Sequence, residues 1–150
     1  MRQNLLSLAV AVLALPVFVK DKTLVNTDKT TVALQGYDPV AFFSDGRPVK
    51  GTTDFQSTDH GVIYSFVTVE HKALFDADPG KYETSLGGYR AFGVAKGHLA
   101  SVEVYAFQVV DGHLLLQHNL GVRDAFNKNQ TNNLATATAT WPKLVEEKGK

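Results

Sequence analysis

The dipeptide Asp111-Gly112 constrains the fold of this chain most, because it separates two short runs that suit strands, Tyr105–Val110 and His113–Gln117. Asp-Gly is favoured in the two-residue turns that join antiparallel strands. A similar pattern occurs upstream, where two runs between residues 54 and 67 flank Thr58-Asp59-His60-Gly61 and place a glycine at the turn. The sequence therefore predicts two β-hairpins.

Local capping signals predict helices around these hairpins. Asp38 precedes a proline and an apolar cluster, which is typical of the N-cap of a short helix. Thr68 is in position to cap a second helix, which we expect to direct Leu74 and Phe75 into the core and to end at residues 78–80.

The remainder of the chain mixes clear and ambiguous patterns. Residues 86–99 are rich in glycine and are expected to form an ordered loop. Asn119 is a candidate cap for another short helix, and residues 131–140 suit either helix or loop. We detect no internal repeat and no linker. The expected fold class is α+β, with two β-hairpins packed with short helices in a single compact domain.

The N-terminus has the layout of an export signal. One positive side chain precedes the apolar run Leu5–Val19, which is shorter than the about 20 residues of a membrane-spanning helix. We expect residues 1–19 to be a signal peptide or an apolar N-terminal segment, followed by a polar leader at 20–31, a domain at 32–145 and a frayed tail at 146–150. The expected location is periplasmic or otherwise exported, with membrane contact only if the N-terminal segment is retained.

Composition excludes several classes of partner and site. The 15 basic and 15 acidic residues cancel, so there is no long-range field to attract nucleic acid. The chain has no cysteine, and therefore no disulfide, thiolate nucleophile or thiolate metal ligand. No nucleophile elbow, ordered Ser-His-Asp set or metalloprotease motif is present, so the sequence favours a non-enzymatic protein without deciding the question. An enzyme would require a clustered acid, base or nucleophile that the linear sequence hides.

Several motifs in order resemble the extracytoplasmic YHS-domain proteins: GYDPVAFF (36–43), VEHKALFDADPGKY (69–82), GGYRAFGVAKG (87–97) and VVDGHLLL (109–116). The resemblance runs from about Gly36 to Pro142. It implies a compact α+β domain related to YHS and TRASH domains, which accompany metal-handling proteins and are thought to bind metal through cysteines. A divalent metal or copper is the cofactor that the resemblance implies.

This chain departs from the family at Arg90, which stands where the motif GGYCA has cysteine. A guanidinium repels a metal ion but suits a carboxylate or a phosphate. We therefore expect a ligand site formed by Tyr37, Asp38, Tyr89 and Arg90. The alternative is structural, with Arg90 paired to a carboxylate such as Asp38 or stacked on an aromatic ring.

Without cysteine, histidine is the remaining side chain that suits copper or zinc. His113 and His118 are separated by an odd number of positions and would face opposite sides of one strand. His60, in a predicted turn, and His71, near a helix start, could join a long-range metal site, with surface histidine as the alternative. The sequence thus favours a non-enzymatic binding module for a small ligand or metal ion over its alternative, a structural or interaction protein without a small-molecule ligand.

Overall fold

The computed structural model of the chain describes residues 21–150. The predicted export segment, residues 1–19, lies outside the described residues. The described part has the predicted α+β architecture, with two antiparallel two-stranded sheets and several helices. None of the helices in residues 21–150 is long and apolar enough to cross a membrane.

The helices are α1 (Ala41–Ser44), α2 (Val69–Ala77), α3 (Pro79–Tyr82), α4 (Ala91–Ala95), α5 (Leu120–Asn127) and α6 (Gln130–Lys148). The strands are β1 (Thr52–Asp59), β2 (Val62–Phe66), β3 (Glu103–Val110) and β4 (His113–Gln117). Short 3-10 turns occupy Leu34–Gly36 and Ser85–Gly88.

Both predicted hairpins are confirmed. Strand β1 pairs with β2, and β3 with β4, each through a two-residue turn. The turn residues His60 and Gly61 have φ of 48° and 78°, and Asp111 and Gly112 have φ of 50° and 77°. Positive φ at both positions gives the turn the twist that antiparallel strands require.

The chain contains an internal structural repeat, which the sequence analysis did not detect. The second hairpin starts at residue 103 and ends at 117, each 51 positions after the first hairpin's bounds of 52 and 66. Each hairpin is followed by a capped helix: Thr68 Oγ1 accepts from the backbone N–H of His71, and Asn119 Oδ1 from that of Val122. These caps are also 51 positions apart, and both confirm the predicted capping residues.

The repeat extends to the segments that precede the hairpins. Each 3-10 turn ends at the glycine of a Gly-Tyr pair, and the next residue is Asp38 in the first half and Arg90, 52 positions later, in the second. The backbone N–H of Asp38 donates to the Val49 carbonyl at 2.8 Å, and that of Arg90 donates to the Ala100 carbonyl at 3.3 Å. Asp38 and Arg90 therefore occupy equivalent positions.

Three apolar clusters form the core of residues 21–150. One surrounds Phe75 in the first half, and another surrounds Phe126, its counterpart in the second. A third joins the halves, since Leu34 and Phe42 pack with residues of β3 and β4. Helix α6 covers the second half by packing against α4.

Two local predictions were wrong. Residues 91–95, within the predicted loop, form α4, because the side-chain oxygen of Gln117 accepts a hydrogen bond from the Phe92 N–H at 3.1 Å and caps the helix from a distant strand. Leu74 is 47% exposed, while its neighbour Phe75 is 1% exposed, since only one of two adjacent residues faces the core here.

The C-terminal segment is more ordered than the sequence predicts. The ambiguous residues 131–140 are helical, and α6 continues past Pro142 to Lys148, into the predicted frayed tail 146–150. Backbone hydrogen bonds at 2.9 and 3.1 Å join Lys150 to Thr23, so the end of the chain is held by its first described segment.

Candidate functional site

Asp38 is a fully buried carboxylate with a complete set of donors. Its Oδ1 accepts from the Val40 N–H at 2.8 Å and the Ala41 N–H at 3.3 Å, which satisfies the start of α1 as the sequence predicts. Its Oδ2 accepts from the Val67 N–H at 2.9 Å and lies 2.6 Å from Nδ1 of His71. A buried charge with this many donors is stably held.

His71 connects Asp38 to Ser44. Its Nε2 lies 3.3 Å from Ser44 Oγ, which gives the order of groups found in serine hydrolases. The Ser44 hydroxyl is also within donor distance of Asp45 Oδ1 at 2.8 Å and of the Val40 carbonyl at 3.2 Å. Because this hydroxyl has other acceptors at the C-terminal end of α1, where the helix dipole opposes an oxyanion, we assign the chain of contacts to structure rather than to catalysis.

Arg90, the counterpart of Asp38, has unsatisfied hydrogen-bonding capacity. Its Nε is buried, and no acceptor lies within hydrogen-bond distance among residues 21–150. Within the same residues, its guanidinium forms neither an ion pair nor a stack on an aromatic ring. The predicted alternative of an Asp38–Arg90 pair is not observed, because the Asp38 carboxylate faces His71 instead.

A cavity of about 330 Å³ lies beside Arg90, between α4 and the start of α5. Its lining includes the charged side chain of Lys96, whose Nζ lies 4.4 Å from the centre of the Phe92 ring. The α5 side contributes Gly121, Val122 and Ala125. No carboxylate is among the described lining residues, so the cavity has a net positive wall.

The repeat shows which side chains differ beside this cavity. Counting by 51 positions, Gly121, Val122 and Ala125 correspond to Glu70, His71 and Leu74 of α2. Each of these three residues is smaller than its counterpart. The α5 side of the cavity therefore presents smaller side chains than α2 does at the same positions, beside a cation instead of a carboxylate.

The two predicted site tyrosines lie in separate surroundings. Tyr37 packs edge-on against Tyr105 with ring centres 6.3 Å apart, and Lys50 Nζ lies 4.9 Å from its ring centre. Tyr89 lies 6.3 Å from the Trp141 ring. Of the cavities described in residues 21–150, none has more than one of the four predicted ligand residues in its lining. A site shared by all four stays a prediction.

The predicted metal ligands His60 and His71 also lie apart, and each has an acidic neighbour. His71 Nδ1 is engaged by Asp38. His60 Nδ1 lies 2.6 Å from Asp59 Oδ2, and Glu83 completes a cluster in which one ligand atom per residue lies within 4.8 Å of the others. Asp59 and Glu83 were not predicted from the sequence, since Glu83 approaches from a segment 23 positions beyond His60, and no local spacing indicates that contact.

The two carboxyl groups of this cluster influence each other's ionisation. Burial, a hydrogen bond to Asp59 and the Asp59 charge raise the pKa of Glu83 to about 7. The same hydrogen bond, with Glu83 as donor, lowers the pKa of Asp59. The pair thus shares a proton at neutral pH and below, at the wall of a cavity of about 380 Å³ that includes Tyr64 and Trp141.

Comparison with known proteins found no family model, no curated protein and no solved structure that matches this chain. The resemblance to YHS-domain proteins, export and a family metal site therefore stay predictions from sequence.

Proposed function

We propose that this protein is a binding module that holds a small anionic ligand, with a carboxylate or phosphate group, in the cavity beside Arg90. The proposal depends on two observations at Arg90: its buried Nε has no acceptor in the described chain, and the residue lines a cavity. An unpaired buried donor costs about 1–3 kcal/mol, which a ligand oxygen would recover.

The first half of the repeat supports this assignment. There, the equivalent position holds Asp38, and a side chain from α2, His71, lies 2.6 Å away. In the second half the corresponding residue of α5 is Val122, which offers Arg90 no hydrogen bond. A ligand oxygen would therefore take the role of partner that the chain itself supplies in the first half.

The charges around the cavity indicate the chemistry of the ligand. Lys96 follows Arg90 by the same six positions by which Ser44 follows Asp38, so a second cation stands where the first half has a hydroxyl. Guanidinium and ammonium groups together favour an anion, and the planar guanidinium can bind a carboxylate or phosphate with two parallel hydrogen bonds. The Phe92 ring adds an apolar wall suited to a small organic acid.

The proposal is preferred over the structural or interaction role because of the surroundings of Arg90. A scaffold role predicts that this arginine is held in an internal salt bridge with no open space beside it. Among residues 21–150 the arginine has no such bridge, and a cavity adjoins it. The ligand class is proposed from this geometry, while export and YHS membership stay proposals from the sequence.

Calorimetric titration of the full chain with inorganic phosphate, acetate and citrate tests the proposal. We expect Arg90→Met to weaken binding of the best of these anions by about 10-fold or more, because a hydrogen bond to a charged group contributes about 1.5–3 kcal/mol. Val122→Asp leaves the Arg90 guanidinium in place but introduces a carboxylate at the counterpart of His71. This carboxylate should pair with Arg90 and so weaken anion binding by a similar factor.

Arg47→Met is the matched control, because Arg47 is exposed and lines none of the described cavities. It removes the same charge from the chain and should leave affinity unchanged. If the Arg90 and Arg47 variants bind the anion equally well, or if the wild-type chain binds none of the three anions, the proposal is wrong.

A further inference from the structure

The carboxylate and imidazole cluster at the tip of the first hairpin is separate from the Arg90 cavity. Asp59 ends β1, His60 occupies the turn, and Glu83 follows α3. His60 has a positive φ of 48°, and its Nδ1 lies 2.6 Å from Asp59 Oδ2 while its side chain remains 68% exposed. Two segments of the chain, the hairpin tip and the residue after α3, thus bring three ligand groups to one point.

No lysine or arginine of the described chain pairs with this cluster. Lys22 lies in the wall of the same cavity, but its ammonium group is 3.0 Å from Glu146 and also donates to the Glu146 carbonyl. Asp59 and Glu83 are therefore two acidic groups in contact, with one imidazole beside them. A divalent cation would use the lone pairs of all three side chains and supply the positive charge that no lysine or arginine provides here.

We propose that Asp59, His60 and Glu83 bind a first-row divalent metal ion, such as Mn²⁺ or Zn²⁺, at the wall of the cavity between the first hairpin and α6. Their ligand atoms lie within 4.8 Å of one another, a spread that a single ion can bridge with small side-chain adjustments. Two oxygens and one nitrogen suit these ions, whereas Ca²⁺ prefers six to eight oxygen ligands.

The cavity gives the bound ion access to further ligands. About 380 Å³ of space adjoins the cluster, walled in part by Leu86 and Trp141. Three protein ligands leave coordination positions open, which water or a small molecule in this space would fill. The second hairpin has no equivalent cluster, since Val110 and Asp111 stand at the positions of Asp59 and His60.

Titration of the untagged full chain with Mn²⁺, followed by water-proton relaxation, and with Zn²⁺, followed by calorimetry, tests the inference. One ion should bind per chain, with Zn²⁺ bound more tightly than Mn²⁺ and Ca²⁺ most weakly. Glu83→Gln and Asp59→Asn keep side-chain shape, and each should weaken Zn²⁺ binding by at least about 10-fold. Asparagine tolerates the positive φ of the turn, so His60→Asn should leave the hairpin intact. It should weaken Zn²⁺ binding more than Mn²⁺ binding, because imidazole is a better ligand for Zn²⁺ than for Mn²⁺.

Asp111→Asn and His113→Ala are matched controls at the turn of the second hairpin, where both residues are exposed. Both control variants should bind Mn²⁺ and Zn²⁺ with the affinity of the wild-type chain. Equal losses in controls and cluster variants, or wild-type affinity in Glu83→Gln with an unchanged circular dichroism spectrum, would overturn the inference. So would the absence of Zn²⁺ binding to the wild-type chain. Because the cluster and Arg90 line different cavities, failure of anion binding would leave this result unaffected.

Discussion

At the scale of single residues, Asp38 and Arg90 show how one backbone position can serve two purposes. Both follow a Gly-Tyr pair and both donate a backbone hydrogen bond to the segment before a hairpin. The carboxylate of Asp38 is fully satisfied by the chain, whereas the Nε of Arg90 has no acceptor in the described part of it. The first position therefore stabilises the fold, and the second leaves a buried hydrogen-bond donor unused.

Asp38→Asn should lower the free energy of unfolding by about 2–4 kcal/mol. The amide oxygen can still accept from Val40 and Ala41, but the amide nitrogen would face the Val67 N–H, leaving a buried donor without a partner. Urea unfolding followed by circular dichroism measures the change. Asp45→Asn, exposed at the end of the same helix, should shift stability by less than about 0.5 kcal/mol. Equal midpoints for the two variants would contradict the structural role assigned to Asp38.

At the scale of elements, local chemistry made most of the fold predictable. The turn glycines, Thr68 and Asn119 act within a few positions of themselves, so the hairpins and the starts of α2 and α5 follow from short patterns. Helix α4 does not follow from a short pattern, because its cap comes from Gln117 on β4. Glu83 was missed for the same reason, since its partner Asp59 lies on another element. Contacts between distant segments leave no local pattern.

The contact between β1 and the segment after α3 should make stability depend on pH. Glu83 has a pKa raised to about 7 in the folded chain, against 4.5 as its ordinary value, so the folded state holds a proton that the unfolded state has lost. The free energy of unfolding should therefore fall as the pH rises from about 4.5 to about 7. The pKa of Asp59 is lowered from 3.8, so its ionisation changes the free energy of unfolding only at pH values below this range.

Thermal unfolding in metal-free buffer across this range checks the effect of Glu83. In Glu83→Gln this part of the pH dependence should disappear, because the amide does not titrate. Glu103→Gln, exposed on β3, should keep the wild-type profile. A Glu83→Gln profile that still matches the wild-type one would show that another group is responsible.

At the scale of the whole molecule, the two halves share a plan and α6 completes only one of them. The repeat has a trace in the sequence, since Leu-Gln-Gly-Tyr (34–37) recurs as Leu-Gly-Gly-Tyr (86–89), 52 positions later and one more than the offset of the hairpins. The signal is short, and the two halves differ at most other positions, so composition and periodicity did not reveal it. Helix α6 and the segment 22–26 then close the fold around the second half and the cavity of the first hairpin.

Gly149→Ala should separate the C-terminal residues from the segment around Thr23. A Cβ at Gly149 would clash with the Val145 carbonyl oxygen and lie 3.1 Å from the Thr23 carbonyl oxygen, so the last residues would have to move and the Thr23–Lys150 hydrogen bonds would be lost. We expect the free energy of unfolding to fall by about 1–2 kcal/mol, since two hydrogen bonds of about 1 kcal/mol each are involved. Denaturant unfolding and amide hydrogen exchange at Thr23 measure the change.

The same substitution at Gly80 isolates the steric cause. Gly80 lies in α3, and the nearest atom to its added Cβ is 3.9 Å away, so Gly80→Ala fits without movement. This variant should unfold at the wild-type midpoint or gain up to about 1 kcal/mol, because alanine restricts the unfolded chain more than glycine does. If Gly149→Ala retained slow exchange at Thr23 and wild-type stability, the ends would not be held together by these bonds. Loss of slow exchange at Thr23, together with a fall of about 1–2 kcal/mol in the free energy of unfolding, is the result that the structure predicts.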